Sequence, residues 1–172
     1  MSEQPRLLVL MRHAQAESHG PSDHERELAG RGRRDARAGG EWLAARGITA
    51  DAALVSGALR TRETWESVAT GAGWDLDAAS YDEGLYAAGP ESALDLVRET
   101  DESVRTLVVI GHNPTVGVLA QQLDSGQGDP EASVAMLGGY PTAATTIFEV
   151  AGRWADLDAE GARVVAFHVP RD

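Results

Sequence analysis

Arg12 and His13 close an apolar run, Leu7-Leu8-Val9-Leu10-Met11. Arg60 lies just beyond Ser56-Gly57-Ala58-Leu59, and His112 stands in Gly111-His112-Asn113-Pro114, directly after Thr106-Leu107-Val108-Val109-Ile110. Guanidinium groups grip pairs of phosphoryl oxygens bidentately, and imidazoles supply further donors or acceptors. Asn113 and Pro114 fit the N-cap and first position of a helix, whose free N–H groups and positive dipole end favour an anion. Two arginines, two histidines and a helix start therefore describe a site for a phosphate-like group.

Such a site needs elements that bring distant residues together. Runs of apolar residues such as Leu7–Met11, Ala52–Ser56 and Thr106–Ile110 read as strands buried on both faces, which belong inside a parallel sheet. Parallel strands open their ligand crevice beyond their carboxyl ends, where Arg12, His13, Arg60 and His112 fall. Helices are expected over Gly32–Arg46, with Gly39-Gly40 as its weak point, over a segment ending at Gly71, from Pro90 through Val97, and over Val116–Leu123. Trp74–Gly89 reads as irregular with a short edge strand, and Ser125–Pro130 as a loop. Two further strands, Ala144–Val150 and Arg163–Val169, lack a helix between them and are expected to pair antiparallel at one side. The alternation gives an α/β domain, a three-layer sandwich with a largely parallel central sheet flanked by helices, in one domain over 1–172.

The composition narrows the function classes. Without cysteine there is no disulfide, zinc–thiolate site or cysteine nucleophile. A net charge of −12 argues against nucleic acid and anionic membrane as partners, so an anion site must rest on a local cluster of cations. No stretch is long and apolar enough for a membrane span, and Met1-Ser2-Glu3-Gln4-Pro5 does not read as a secretory signal, so a cytoplasmic location is expected. Neither a Gly-x-Ser-x-Gly elbow nor a Gly-x-x-x-x-Gly-Lys-Ser/Thr loop occurs. His19 and His24, in the polar loop from Gln15, are expected to be solvated. Arg62 reads as an exposed helix arginine, and His168 as a surface or rim residue.

Leu10-Met11-Arg12-His13-Ala14 resembles the Arg-His-Gly signature of the histidine phosphatase superfamily, which includes the phosphoglycerate mutases; alanine in third place is common in its SixA-type branch. Asp23-x-x-Arg26-x-Leu28-x-x-x-Gly32, Ser56-x-x-Leu59-Arg60-Thr61-x-Glu63-Thr64 and Ile110-Gly111-His112-Asn113-Pro114 resemble three further motifs of that branch, in order, over about Leu7–Leu123. Gly57 departs from the family's usual proline, and Ser125–Tyr140 matches no motif.

The resemblance implies a phosphoglycerate mutase-like fold. It implies a phosphatase in which His13 is transiently phosphorylated while Arg12, Arg60 and His112, with Asn113 beside them, hold the phosphoryl oxygens. No metal and no cofactor are then required, because the arginines and histidines neutralise the charge. Glu83 lies in the region where mutase-like members supply a carboxylate acid, but the preferred reading is a solvated acidic residue before Leu85-Tyr86. The implied partner is a phosphate-bearing substrate: phosphohistidine of a signalling or phosphotransfer protein or, alternatively, a small phosphomonoester. A module that binds a phosphoprotein without turnover is the alternative from another class, and a metallohydrolase built on His13, His24 and His112 is more remote.

Overall fold

The computed structural model describes residues 4–172. Its centre is β1 (Arg6–Arg12), whose alternate side chains enter two different cores. Leu8 and Leu10 face one and Val9 and Met11 the other, all with no solvent exposure. A strand apolar on both faces needs neighbours at both edges and a helical layer on each side. β4 (Thr106–Gly111) pairs with it in parallel and β5 (Thr145–Val150) antiparallel. With β2 (Ala52–Ser56), β3 (Ala79–Asp82) and β6 (Ala162–His168), the six-stranded order is β3-β2-β4-β1-β5-β6. The four strands from β3 to β1 are parallel, and the last two antiparallel, as their direct connection implies.

Helices α1 (Gly30–Ala45) and α2 (Leu59–Ala72) cover the Val9/Met11 face through residues including Leu43, Trp65 and Val68. After the short α3 (Glu83–Tyr86), α4 (Pro90–Arg98), α5 (Thr115–Leu123) and α6 (Pro130–Leu137) cover the other. This is the expected three-layer α/β sandwich. The region expected to be irregular holds β3 as its edge strand, together with a 3₁₀ turn at Leu76–Ala78 and α3. The second helix runs to Ala72, one residue past Gly71, and the left-handed residue that ends it is Gly73. Helix α6 was not expected. Its apolar residues do not form one stripe, since Val134 and Leu137 are 68% and 70% exposed while Ala132 and Met136 are buried. The helix begins because Asp129 accepts a hydrogen bond from the Ala132 N–H and Pro130 fits the first position.

The glycines that weaken α1 by propensity permit its close contact with α2. A Cβ on Gly40 would run into the carbonyl of Val68, and one on Gly71 into that of Arg37. The crossing brings backbone against backbone in the second half of α2. Gly40→Ala gains helix propensity of about 1 kcal/mol but forces the helices apart, an overpacking cost of typically ~1–3 kcal/mol. A net loss of stability is therefore expected, read as a lower urea midpoint; an unchanged or higher midpoint would contradict the close-contact role.

Candidate active site

The ends of β1, β2 and β4 meet as the strand pattern requires. Arg12 lies opposite Gly111 in the β1–β4 register, and the His13 N–H donates to the Gly111 carbonyl at 3.0 Å. On the other side the Ala143 N–H donates to the His13 carbonyl, also at 3.0 Å, so His13 is held in a strand-like setting and is 8% exposed. Thr64 of α2 locks the following turn: the Ala14 N–H donates to Thr64 Oγ1 at 3.1 Å, and that hydroxyl donates to the Arg60 carbonyl at 2.7 Å. Arg12, His13, Arg60 and His112 thus come together around one crevice.

The partner of the His13 ring fixes its proton: Nδ1 lies 2.7 Å from the Ala14 carbonyl, to which it can only donate, so its lone pair is on Nε2. His112 Nε2 lies 2.7 Å from Ser56 Oγ, which itself accepts from the Ala58 N–H at 3.4 Å. A serine hydroxyl that donates to Nε2 leaves the neutral His112 ring its proton on Nδ1. The rings are 5.4 Å apart. Burial, aided by Arg60 and Arg12 and opposed by the bond to Ala14, pushes His13 down to about 4. Burial, then His13 and Arg60, pushes His112 down to about 3. Both rings are neutral at pH 7.

Each arginine is tethered at one edge and open at the other. Arg12 donates from Nη1 to the Tyr140 carbonyl at 3.1 Å, which also accepts from Asn113 Nδ2 at 2.8 Å. Arg60, 6% exposed, donates from Nη1 to the Asp23 carbonyl at 2.8 Å and from Nη2 to Asp23 Oδ2 at 3.1 Å. Among the described residues, the buried side-chain nitrogens without a hydrogen-bond partner are Arg6 Nε, Arg12 Nε, Arg60 Nε and His112 Nδ1, and three of the four belong to this crevice. Two guanidinium Nε–H groups and one imidazole nitrogen of the site are thus left without a partner, groups of the kind that phosphoryl oxygens engage. By contrast, a cleft of about 650 Å³ elsewhere is walled by Glu91, Asp95, Asp124, Asp158 and Glu160, which repel such a group.

Several expectations are corrected. Asn113 is not the N-cap: α5 begins at Thr115 with Pro114 before it, and Asn113 Oδ1 instead accepts from the Gly117 N–H at 3.1 Å. With the Val116 N–H bonded to the His112 carbonyl, the start of α5 spends these donors internally and contributes its dipole. Arg62 is half-buried, donating to the Gly57 carbonyl at 2.8 Å with its guanidinium 4.1 Å from the Tyr81 ring centre. His24 is not merely solvated: its Nε2 lies 2.9 Å from Glu83 Oε2. Glu83, with a side chain 64% exposed, rests against Gly57, where any Cβ would displace its carboxylate. His168 is a half-buried rim residue stacked on Trp42 at 4.5 Å.

Sequence reasoning missed Asp23, Ser56, Thr64, Tyr86 and Tyr140 as parts of the site. Asp23, Ser56 and Thr64 stand inside the quoted motifs, a signal that was available; Tyr140 acts on the crevice through its carbonyl, which leaves none. The Tyr86 hydroxyl donates to Asp23 Oδ2 at 2.6 Å. That bond and the neighbouring Arg60 hold the Asp23 carboxyl well below the usual carboxylate range, so it is anionic. Among the described residues no three His, Asp or Glu side chains group as metal ligands, and no helix is long and apolar enough to cross a membrane.

Known proteins resemble this chain over much or all of its length. Residues 8–85 match the family described as histidine phosphatase superfamily (branch 1). An uncharacterized protein of Mycobacterium tuberculosis is 41% identical over 164 residues, covering 94% of this chain and all of the relative. The phosphohistidine phosphatase SixA of Escherichia coli is 32% identical over 128 residues, covering 72% of this chain and 77% of that one. A solved structure from Nakamurella multipartitia, presented as a "putative phosphohistidine phosphatase SixA", superposes with a TM-score of 0.84 at 31% identity, over 99% of both chains.

In an imidazole NMR titration, His13 and His112 are expected to stay neutral through pH 5.5, with midpoints near 4 and 3. Between pH 6.5 and 4 the unfolded chain takes up protons that the folded chain refuses, so stability falls as the pH drops through that window. Midpoints near 6.5 would contradict the burial that defines the site.

Proposed function

The chain belongs to the histidine phosphatase superfamily, and from that membership and the geometry of the crevice we propose that it is a metal-independent phosphatase that removes the phosphoryl group from phosphohistidine of a signalling or phosphotransfer protein. One observation carries the reading: Arg12 Nε, Arg60 Nε and His112 Nδ1 are buried without a partner in the site of a histidine whose Nδ1 is tied down and whose Nε2 carries a lone pair. The name borne by the Escherichia coli relative supports the choice of substrate.

The chemistry follows from these groups. Neutral His13 attacks phosphorus through Nε2, forming a P–N bond as the bond to the leaving imidazole nitrogen breaks and that ring takes a proton from water. Arg12 Nε, Arg60 Nε and His112 Nδ1 donate to the phosphoryl oxygens, and their fixed positions favour the charge spread of the transition state over any reoriented solvent. Water then attacks phosphorus, the P–N bond to His13 breaks, and inorganic phosphate leaves with His13 neutral again. Asn113 orients the Tyr140 carbonyl that holds Arg12. An imidazole leaving group makes a smaller demand for an acid than an alkoxide does. Glu83, already engaged by His24, has no part in these steps.

The test is phosphate release from a phosphohistidine-bearing protein and from p-nitrophenyl phosphate, with and without chelator. Wild type is expected to cleave both, the phosphoprotein with the higher kcat/KM, and to keep its activity in chelator. His13→Ala is expected to lose at least about 1,000-fold in kcat. Equal activity in His13→Ala would overturn the nucleophile assignment. Binding of the phosphoprotein without turnover would point to a recognition module instead.

A further inference from the structure

Four rings lead outward from the crevice in sequence. His13 and His112 have centroids 5.4 Å apart, His112 and Tyr86 5.4 Å, and Tyr86 and His24 5.0 Å, the last two contacts edge-on at 71° and 83°. The row begins at a buried ring and ends at His24, whose side chain is 39% exposed. The inner two belong to the candidate phosphoryl site; the outer two lead from it toward solvent.

What the outer rings offer a substrate is set by their own bonds. The Tyr86 hydroxyl is committed to Asp23 Oδ2 at 2.6 Å, and His24 Nε2 to the Glu83 carboxylate at 2.9 and 3.2 Å. With the Tyr86 hydroxyl and His24 Nε2 so engaged, what remains is ring surface and His24 Nδ1, flanked by the Arg60 guanidinium 5.9 Å from the Tyr86 ring centre. Ring surface beside a cation favours a planar, polarisable group over a hydroxyl-rich one. Of the nearby arginines, Arg26 is paired with Asp23 and also donates to the Glu17 carbonyl, while Arg62 is turned to the Gly57 carbonyl and the Tyr81 ring.

We propose that Tyr86 and His24 form the leaving-group subsite of this enzyme, and that it selects substrates whose phosphoryl group is carried on a planar ring, such as the imidazole of a phosphorylated histidine. The proposal rests on the phosphatase reading and gives it a substrate-selecting element. Asp23 and Glu83 are positioning residues here, holding the two rings by their polar ends.

Binding of non-hydrolysable phosphonates tests the subsite independently of turnover. Calorimetry with phenylphosphonate and cyclohexylphosphonate compares a planar and a non-planar group of similar size. Wild type is expected to favour the planar ligand about fivefold, Tyr86→Leu to abolish that preference, and Tyr86→Phe to retain it. Hydrolysis of phenyl phosphate and glycerol 2-phosphate gives the second readout: Tyr86→Leu raises KM for the aryl ester about fivefold more than it raises KM for the alkyl ester. If Tyr86 acted only by bracing Asp23 and Arg60, Tyr86→Phe would weaken every ligand alike and the planar preference would survive in Tyr86→Leu. That result, or equal wild-type affinity for the two phosphonates, overturns the proposal. Planar preference in a protein that leaves phosphohistidine intact would keep the subsite and overturn the phosphohistidine reading.

Discussion

The structure turns on holding two guanidinium groups, half-buried Arg12 and buried Arg60, beside a neutral histidine. Two cations brought close together repel, and burial removes the water that would screen them. The chain compensates by spending one edge of each arginine on fixed acceptors, the Tyr140 carbonyl for Arg12 and the Asp23 carbonyl and carboxylate for Arg60. The other edges stay aimed at the place where a phosphoryl group would sit. The same positive field, with burial as the larger cause, keeps His13 and His112 uncharged. A protonated nucleophile and a buried stack of cations are thereby avoided through one arrangement.

Seen this way, the segment from Gln15 to Ala29 belongs to the site. Its ends are tied together by Glu17 N–H to the Glu27 carbonyl and Ala29 N–H to the Gln15 carbonyl. Glu63 of α2 accepts from the Leu28 N–H and from Arg33 at 2.8 Å each. That anchoring brings Asp23 to Arg60 and His24 to Glu83. The overall charge of −12 does not prevent phosphate recognition, because selectivity is decided within a few ångströms of the two arginines, inside the roughly 8–10 Å over which salt screens longer-range repulsion.

What the sequence made legible were features that depend on period and on strand ends. Apolar runs on both sides of the pleat identified β1 and β4 as inner strands, and their carboxyl ends placed Arg12, His13 and His112. Serine-to-arginine spacing after β2 placed Arg60 in the first turn of α2. Less legible were features whose partners lie far away in the chain. Asp23 reads as a turn former until Arg60, 37 residues on, folds against it. His24 reads as solvated until Glu83, 59 residues on, comes within reach. Tyr140 contributes a backbone oxygen, which has no sequence signature. Helix α6 was hidden because its apolar residues lie on more than one side, and its start is set by Asp129 and Pro130 at the end of a glycine-containing loop.

The proposed chemistry and the proposed substrate selection fall on different parts of this molecule, for a mechanical reason. The groups around phosphorus hang from β1, β4 and the start of α2, elements held by ladder bonds and by the backbone contact of two helices, and their tolerance for movement is small. Tyr86 and Glu83 sit on a four-residue helix at the edge of the sheet, and Asp23 and His24 on a loop. Segments of that kind accept substitution without disturbing the strands behind them. Gly57 is where the two meet, since the absence of a Cβ leaves room for Glu83 beside the turn that carries Arg60. A larger residue there would move the Glu83 carboxylate away from the turn and loosen its hold on His24. A departure from the family's usual proline thus accompanies a local arrangement at the rim, while the four groups of the crevice remain in place.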